Sequence, residues 1–281
     1  RMFNNDLKST ILNYRDGQYT EAVLKFDELI KEYGYRNFDD IIFYRGESYF
    51  ALNLKKIAIR DFEAVISSET VDPLYNKTAL HRLISLHGDM GELDKVIEYW
   101  IRFQENYSQN YDDEYWQVLQ LVARYLMISG DLSEAIILYD QIPQTNVLFI
   151  QSQLYAAESA LMKLDLDDAE IRFSLLTASK YGKIKINEDI RNQALLKIGY
   201  VYFLRGEFSV AFSNFNEVEG DDKLKEVALI SSAWSAYKLN AFEHVIKICS
   251  SFMSRFPNSE YQYEGAALMG QCREIIGQDT L

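Results

Sequence analysis

Three short stretches hold residue types that can do chemistry. His81 and His87 lie six apart, with Asp89 and Glu92 close behind. Imidazoles and carboxylates in such a cluster can ligate a transition metal. Here no third ligand stands near the histidines, and the acids would have to converge with His87 around a turn, so the stretch reads as a helix end rather than a metal site. Asp165, Asp167, Asp168 and Glu170 form the densest acidic group. Two carboxylates perform acid–base work when they face one another across a cleft. Crowded on one turn and the start of a helix, where the macrodipole favours negative charge, they read as solvated caps. Asp112, Asp113 and Glu114 read as first-turn charges of a helix. The alternating oxygen ligands and glycine of a calcium loop are missing.

Nucleophilic and cofactor chemistry find no better footing. The chain has no Gly-rich phosphate loop and no strand–turn–helix nucleophile elbow. Its histidines are three, His81, His87 and His244, and no serine or cysteine has an organised base nearby. Cys249 and Cys272 fall in different predicted helices and form no Cys-x-x-Cys pair, so they set no disulfide framework and leave the redox compartment open. The expectation is a protein without catalytic residues, metal or cofactor.

What the sequence does contain is a periodic order of structural residues. The stretch Gly199 to Phe215 reads as helix, tight turn, helix: Gly199 suits a close helix crossing, Gly206 the stop of the first helix, and Ala211 with Phe215 one face of the second. Taking Gly206 as a turn marker, equivalent positions fall at Gly17, Asn53, Gly91, Gly130, Leu164 and Asn240. Five residues on stand Ala22, Ala58, Val96, Ala135, Ala169, Ala211 and Val245. Nine on stand Phe26, Phe62, Trp100, Tyr139, Phe173, Phe215 and Cys249. The marker spacings are 36, 38, 39, 34, 42 and 34 residues, a period that belongs to stacked helical arrays, with insertions between units.

This pattern resembles the tetratricopeptide repeat family over essentially the whole chain. The family's small–aromatic–Gly–Ala–aromatic order is met best by Gly199, Tyr202, Gly206, Ala211 and Phe215, and next by Gly46, Tyr49, Asn53, Ala58 and Phe62. Ile84 and Thr10 depart from it where a small residue is expected. The junction Arg255-Phe-Pro-Asn-Ser-Glu-Tyr261 is similar to that of the bacterial envelope subgroup, which includes outer-membrane assembly lipoproteins and cell-division coordinators. The resemblance implies an all-α, right-handed superhelical solenoid of about seven helix pairs with a C-terminal capping helix. It also places a periplasmic or envelope-associated location somewhat ahead of a cytoplasmic one.

Composition agrees with a solenoid. Hydrophobic residues make up 48% of the 281, enough for a continuous core, while 13 Gly and 3 Pro suit helices. The 20 Tyr and 16 Phe read mainly as wedges between helices. A net charge of −13 with no basic cluster disfavours nucleic acid and anionic membrane as partners. No apolar run reaches the length of a membrane span. The chain begins at Arg1 and lacks a signal-like segment, which reads as a processed or trimmed form.

The expected units cover residues 4–34, 39–72, 74–109, 115–145, 147–180, 190–221 and 223–257, with the cap at 259–281. Within them Thr20 and Ser133 are expected to cap second helices, Asp39 or Asp40 to cap the first helix of the second unit, and Pro73 to close one helix or begin the next. Arg205 and Glu207 are expected to be solvated beside their turn. Ala266, Ala267 and Gly270 are expected to give the cap a small-residue face. Ser179 to Asp189 is the longest departure from the repeat; it holds the basic, β-prone run Lys-Ile-Lys-Ile and reads as an extended helix end, an exposed loop or a contact point, the first being preferred.

In such an array the first helices of successive pairs line an inner wall, whose concave groove suits an extended peptide or a helix. Repeat phase assigns to it Tyr14, Glu47, Phe50, His81, Gln117, Gln120, Arg124, Gln151, Glu158, Gln193, Tyr200, Trp234 and Tyr237. Arg124 with Gln117, Gln120 and Gln151 are groups for a peptide backbone or carboxylate. Trp234, Tyr237 and Tyr200 are groups for apolar side chains. The expected function is a non-enzymatic protein or peptide scaffold; a structural or oligomerisation module is the alternative. The sequence leaves the oligomeric state open.

Overall fold

A computed structural model describes residues 2–34, 38–109 and 111–277. Arg1, Asn110 of the expected linker and residues 278–281 of the expected cap lie outside the described residues. The described chain falls into two compact units, Arg1–Ser129 and Gly130–Leu281. The first contains helices α1 (Met2–Arg15), α2 (Tyr19–Tyr33), α3 (Phe38–Ala51), α4 (Lys55–Ser67), α5 (Pro73–Asp89), α6 (Leu93–Tyr107) and α7 (Asp113–Ser129). The second contains α8 (Leu132–Gln141), α9 (Phe149–Met162), α10 (Leu166–Thr177), a small hairpin of β1 (Lys180–Tyr181) and β2 (Ile184–Lys185), α11 (Glu188–Leu204), α12 (Phe208–Asn216), α13 (Asp222–Lys238), α14 (Phe242–Arg255) and α15 (Gln262–Ile275). In both units each helix packs against its sequence neighbours, the arrangement of tetratricopeptide-like helix-pair repeats. The boundary passes between the two helices of the fourth expected pair.

The turn markers organise both units. Gly17, Asn53, Gly91, Gly130, Leu164, Gly206 and Asn240 all have positive φ, between 58° and 94°. At six of these turns the marker's N–H bonds the carbonyl three residues back, and the next N–H bonds the carbonyl five back, as in Gly206 to Phe203 at 3.0 Å and Glu207 to Tyr202 at 2.9 Å. That is the Schellman closure of a helix, which satisfies two orphan carbonyls and needs one left-handed residue. It also starts the second helix at once. Gln18 and Asp131 occupy the N-cap positions of α2 and α8, so Thr20 and Ser133 lie inside those helices and cap nothing. Asp39 and Asp40 sit in the first turn of α3, which begins at Phe38. Pro73 begins α5 behind Asp72, whose side chain accepts from Leu74 N at 2.8 Å.

The residues five after each marker are wholly buried, from Ala22 to Val245, and those nine after are 0–6% exposed, Cys249 included. Within each unit they are the knobs by which a second helix packs against its neighbouring first helices. Polar clips tie successive repeats on the second-helix side. In the first unit Arg45 donates to both oxygens of buried Asp61 at 2.8 Å and to Asp27 at 2.6 Å, while Tyr99 donates to Glu63 at 3.0 Å. In the second, Arg172 grips Asp140 at 2.7 and 2.8 Å and Asp168 at 2.8 Å.

Other expectations are corrected here. Ser179 to Asp189 is a β-hairpin rather than a helix extension: Lys180 pairs with Lys185 and Tyr181 with Ile184 around left-handed Gly182. Ile184 and Ile186 turn inward while Lys183 and Lys185 stay exposed, so the period is two and a helix would expose an isoleucine. Arg205 is not solvated; it donates to Asp167 at 2.6 Å, to Glu170 and to Leu166 O at 3.1 Å. Of the acidic group at 165–170, only Asp165 is a plain cap, accepting from Asp168 N at 3.3 Å; the other three acids hold ion pairs. The buried face of α15 is Gly265, Leu268 and Cys272, and Ala267 is exposed.

Candidate binding surface

The first-helix wall of the first unit is built from α1, α3, α5 and α7. Tyr14 on α1 donates to Glu47 Oε2 at 3.2 Å. Glu47, 6% exposed on α3, also takes a forked pair from Arg82 on α5, at 2.7 and 3.0 Å. The Arg82 guanidinium lies over the Phe50 ring, 4.6 Å from its centroid. Burial and Glu47 push the Tyr14 phenol up to about 12. Burial acts to lower Arg82, but the Glu47 carboxylate outweighs it and holds the guanidinium above its ordinary value. A second bridge joins α5 to α7: His81 Nδ1 lies 3.3 Å from Glu114 Oε1, and Lys77 reaches Asp112 at 2.5 Å. Burial acts to raise Glu114, yet hydrogen bonding and charge from His81, with the Lys77 charge, hold it below the usual carboxylate range.

Three predicted wall residues, Tyr14, Glu47 and Phe50, are therefore brought together around Arg82 as a strut, while His81 is engaged separately with Glu114. The remaining three lie on α7. Gln117 and Arg124 are exposed, Gln120 is half-buried, and Arg124 lies 5.8 Å over the Tyr125 ring beside a small hollow of about 200 Å³.

The second unit differs. Gln151 on α9 is half-buried, and Glu158 pairs with Lys197 at 3.3 Å. Gln193 lines a hollow of about 630 Å³ with Leu224 and Val227. Further along, Tyr200 and Trp234 face a cavity of about 410 Å³ completed by Phe203, Phe215, Ser231 and Lys238. Its polar atoms are turned inward. Ser231 donates to Val227 O at 2.7 Å, Tyr200 Oη lies 3.0 Å from Ser231 Oγ, and the Trp234 indole donates to Glu264 on α15. Burial raises the Tyr200 phenol, which therefore stays protonated at neutral pH. Tyr237 packs edge-on to Trp234 at 5.8 Å, behind the cavity rather than in its lining. The site thus presents four aromatic rings with satisfied hydroxyls and one exposed lysine on the rim.

Sequence reasoning missed Arg82, Glu114, Phe203, Ser231 and Lys238. Three had a signal: Arg82 follows Glu47 by one repeat period, and Ser231 and Lys238 stand three and four residues from Trp234 on the same helical face.

The residues with reactive side chains are engaged elsewhere. His87 is buried, with Nδ1 2.6 Å from Glu92, and burial pushes the Cys249 thiol up to about 11, away from the thiolate a nucleophile needs. Among the described residues no group of three or more His, Cys, Asp or Glu is placed to hold a metal ion. No described helix is long and apolar enough to cross a membrane.

No family model matches the sequence, and no curated protein matches it. Solved structures do. A tetratricopeptide repeat protein from Parabacteroides merdae is similar over 95% of this chain and 98% of its own, at 15% identity and TM-score 0.57. The C-terminal part of a TPR repeat-containing protein from Cytophaga hutchinsonii is similar over 92% and 98%, at 13% identity and TM-score 0.69. The apo form of RapI is similar over 99% and 85%, at 15% identity and TM-score 0.68. At these identities the likeness is one of fold: tetratricopeptide-like helix-pair repeats.

Proposed function

We propose that the chain is a non-enzymatic protein-interaction scaffold that binds a peptide or helix of its partner on the first-helix wall, with the principal seat in the second unit. The observation that carries this reading is the cavity between Tyr200, Phe203, Phe215 and Trp234. An apolar hollow of about 410 Å³ is large enough for one or two bulky side chains, and its hydroxyls are already bonded, so an apolar guest enters without stranding a polar group. Aromatic anchors in such pockets dominate the energetics of protein interfaces. On the first unit's wall the polar atoms of Tyr14, Glu47 and Arg82 are bonded to one another, so that patch offers less to a guest. The test is affinity capture from native extract with the whole chain, followed by crosslink mapping. Crosslinks clustered on α11, α13 and α15 support the proposal; crosslinks confined to the second helices oppose it.

A second reading, as an oligomerisation module, is favoured by α15. Its Tyr263 is 90% exposed, and a Cβ on Gly270 would meet nothing within 4 Å. Light scattering on the purified chain separates the two: a monomer supports the adaptor, a concentration-dependent dimer the module. A place in a bacterial envelope assembly rests on the junction Arg255 to Tyr261, and fractionation of cells expressing the native gene tests it.

A further inference from the structure

The apolar cavity does not stand alone on the second unit's wall. Two further hollows lie along the same helices toward their N-terminal ends, of about 630 and 530 Å³, and they share Lys223 and Val227. Val227, which lines both hollows, accepts at its carbonyl from Ser231 of the aromatic cavity at 2.7 Å, so the hollows adjoin that cavity along α13. The charges along this shelf are uneven. Asp189, Asp221, Glu226 and Glu260 line the two hollows against the single cation Lys223. Asp221 caps α13, accepting from Leu224 N at 2.8 Å. The side chains of Asp189, Glu226 and Glu260 hold no hydrogen bond or ion pair among the described residues. The far rim of the aromatic cavity carries the opposite sign: Lys238, exposed in the last turn of α13 and likewise unpaired among the described residues.

We infer that this wall takes a peptide of defined polarity: a bulky apolar side chain in the aromatic cavity, basic side chains on the acidic shelf, and an acidic side chain against Lys238. The inference rests on the reading of this wall as the partner-binding surface and adds the chemistry of the occupant. An apolar pocket alone accepts any bulky residue; the charges on either side discriminate, because a like charge set against Glu226 and Glu260 is repelled while an opposite one is steered in. Exposed pairs are individually weak, so two or three acting together amount to about tenfold in affinity.

The test uses acetylated, amidated synthetic peptides with a central Trp-Phe pair. One carries lysines on one side and glutamates on the other, and a second has that order reversed, since the chain direction is not fixed. A third is acidic on both sides, and a fourth has alanines in place of the Trp-Phe pair. Binding is read on the whole chain from the Trp234 indole N–H resonance and by fluorescence anisotropy. One of the two polar peptides should bind about tenfold tighter than the all-acidic one, with a salt-sensitive affinity. The double variant Glu226→Lys/Glu260→Lys should reverse that preference, and Lys238→Glu should weaken the polar peptide. These exposed or half-buried positions can be exchanged without touching the core, and circular dichroism checks the fold. Equal affinity of polar and all-acidic peptides, or a preference that survives the double variant, overturns the charge inference while leaving the apolar seat standing. If no Trp-Phe peptide perturbs Trp234 more than the alanine peptide does, the seat itself is wrong.

Discussion

A Cβ built on Gly199 would lie 2.5 Å from the Phe215 ring. The first and second helices of that pair cross so closely that the glycine and the aromatic form one contact, and Gly46 against Phe62 repeats it at 3.1 Å. Gly199→Ala should therefore destabilise the chain by about 1–3 kcal/mol through overpacking. The same exchange at Gly270, where nothing lies within 4 Å, should stabilise α15 by about 0.5–1 kcal/mol. Urea unfolding of the two variants checks the contrast in sign.

Leu164 is held at φ 61° although a left-handed backbone disfavours a side chain there. It is 68% exposed, so little packing is lost on its removal. Leu164→Gly should raise stability by about 1 kcal/mol, seen as a higher urea midpoint at unchanged slope.

Asp61 is 2% exposed, and its carboxylate is held from both sides by Arg45. Asp61→Ala should cost about 2–3 kcal/mol, because a mostly buried guanidinium is left with Asp27 as its one carboxylate partner. Replacing both residues by apolar ones of similar volume should recover most of that loss. A double-mutant cycle measures the difference.

The Tyr14 phenol is pushed from 10.0 up to about 12 by burial and the Glu47 carboxylate. A group whose folded value is raised contributes stability that is fully present below its unfolded value and is lost as pH climbs through the folded one. Stability should thus fall between pH 10 and about pH 12. In Tyr14→Phe this part of the fall should be missing, which paired urea titrations across that window reveal.

Much of the fold is legible because the repeat writes burial into register. Leu164 and Cys249 are poor matches by residue type, yet both take their assigned places, one in the left-handed turn and one in the buried knob position. Register does not report what long side chains do. Arg82 and Arg205 reach across repeats to Glu47 and Glu170, and repeat phase fixes where a Cα lies, not which carboxylate its guanidinium meets. Thr20 caps nothing because Schellman closure starts α2 two residues after its marker, and α8 likewise begins at Leu132, ahead of Ser133. The division at Ser129 and Gly130 leaves no trace in the residue pattern, where Gly130 matches the other glycine markers, although its turn is the one of the seven without the paired closing bonds. Repeat phase assigns positions to a wall, but it does not tell which side chains are spent internally, as Glu47 is, and which line an open hollow, as Trp234 does.

The most direct test of the scaffold account is the affinity of the captured partner for Trp234→Ala, measured beside wild type and Arg124→Ala by calorimetry. Loss of a central aromatic anchor should weaken binding by about 2 kcal/mol or more, roughly thirtyfold, while Arg124→Ala on the first unit leaves it within a few-fold. An unchanged affinity for a Trp234→Ala chain that retains its helical content and cooperative unfolding would contradict the account.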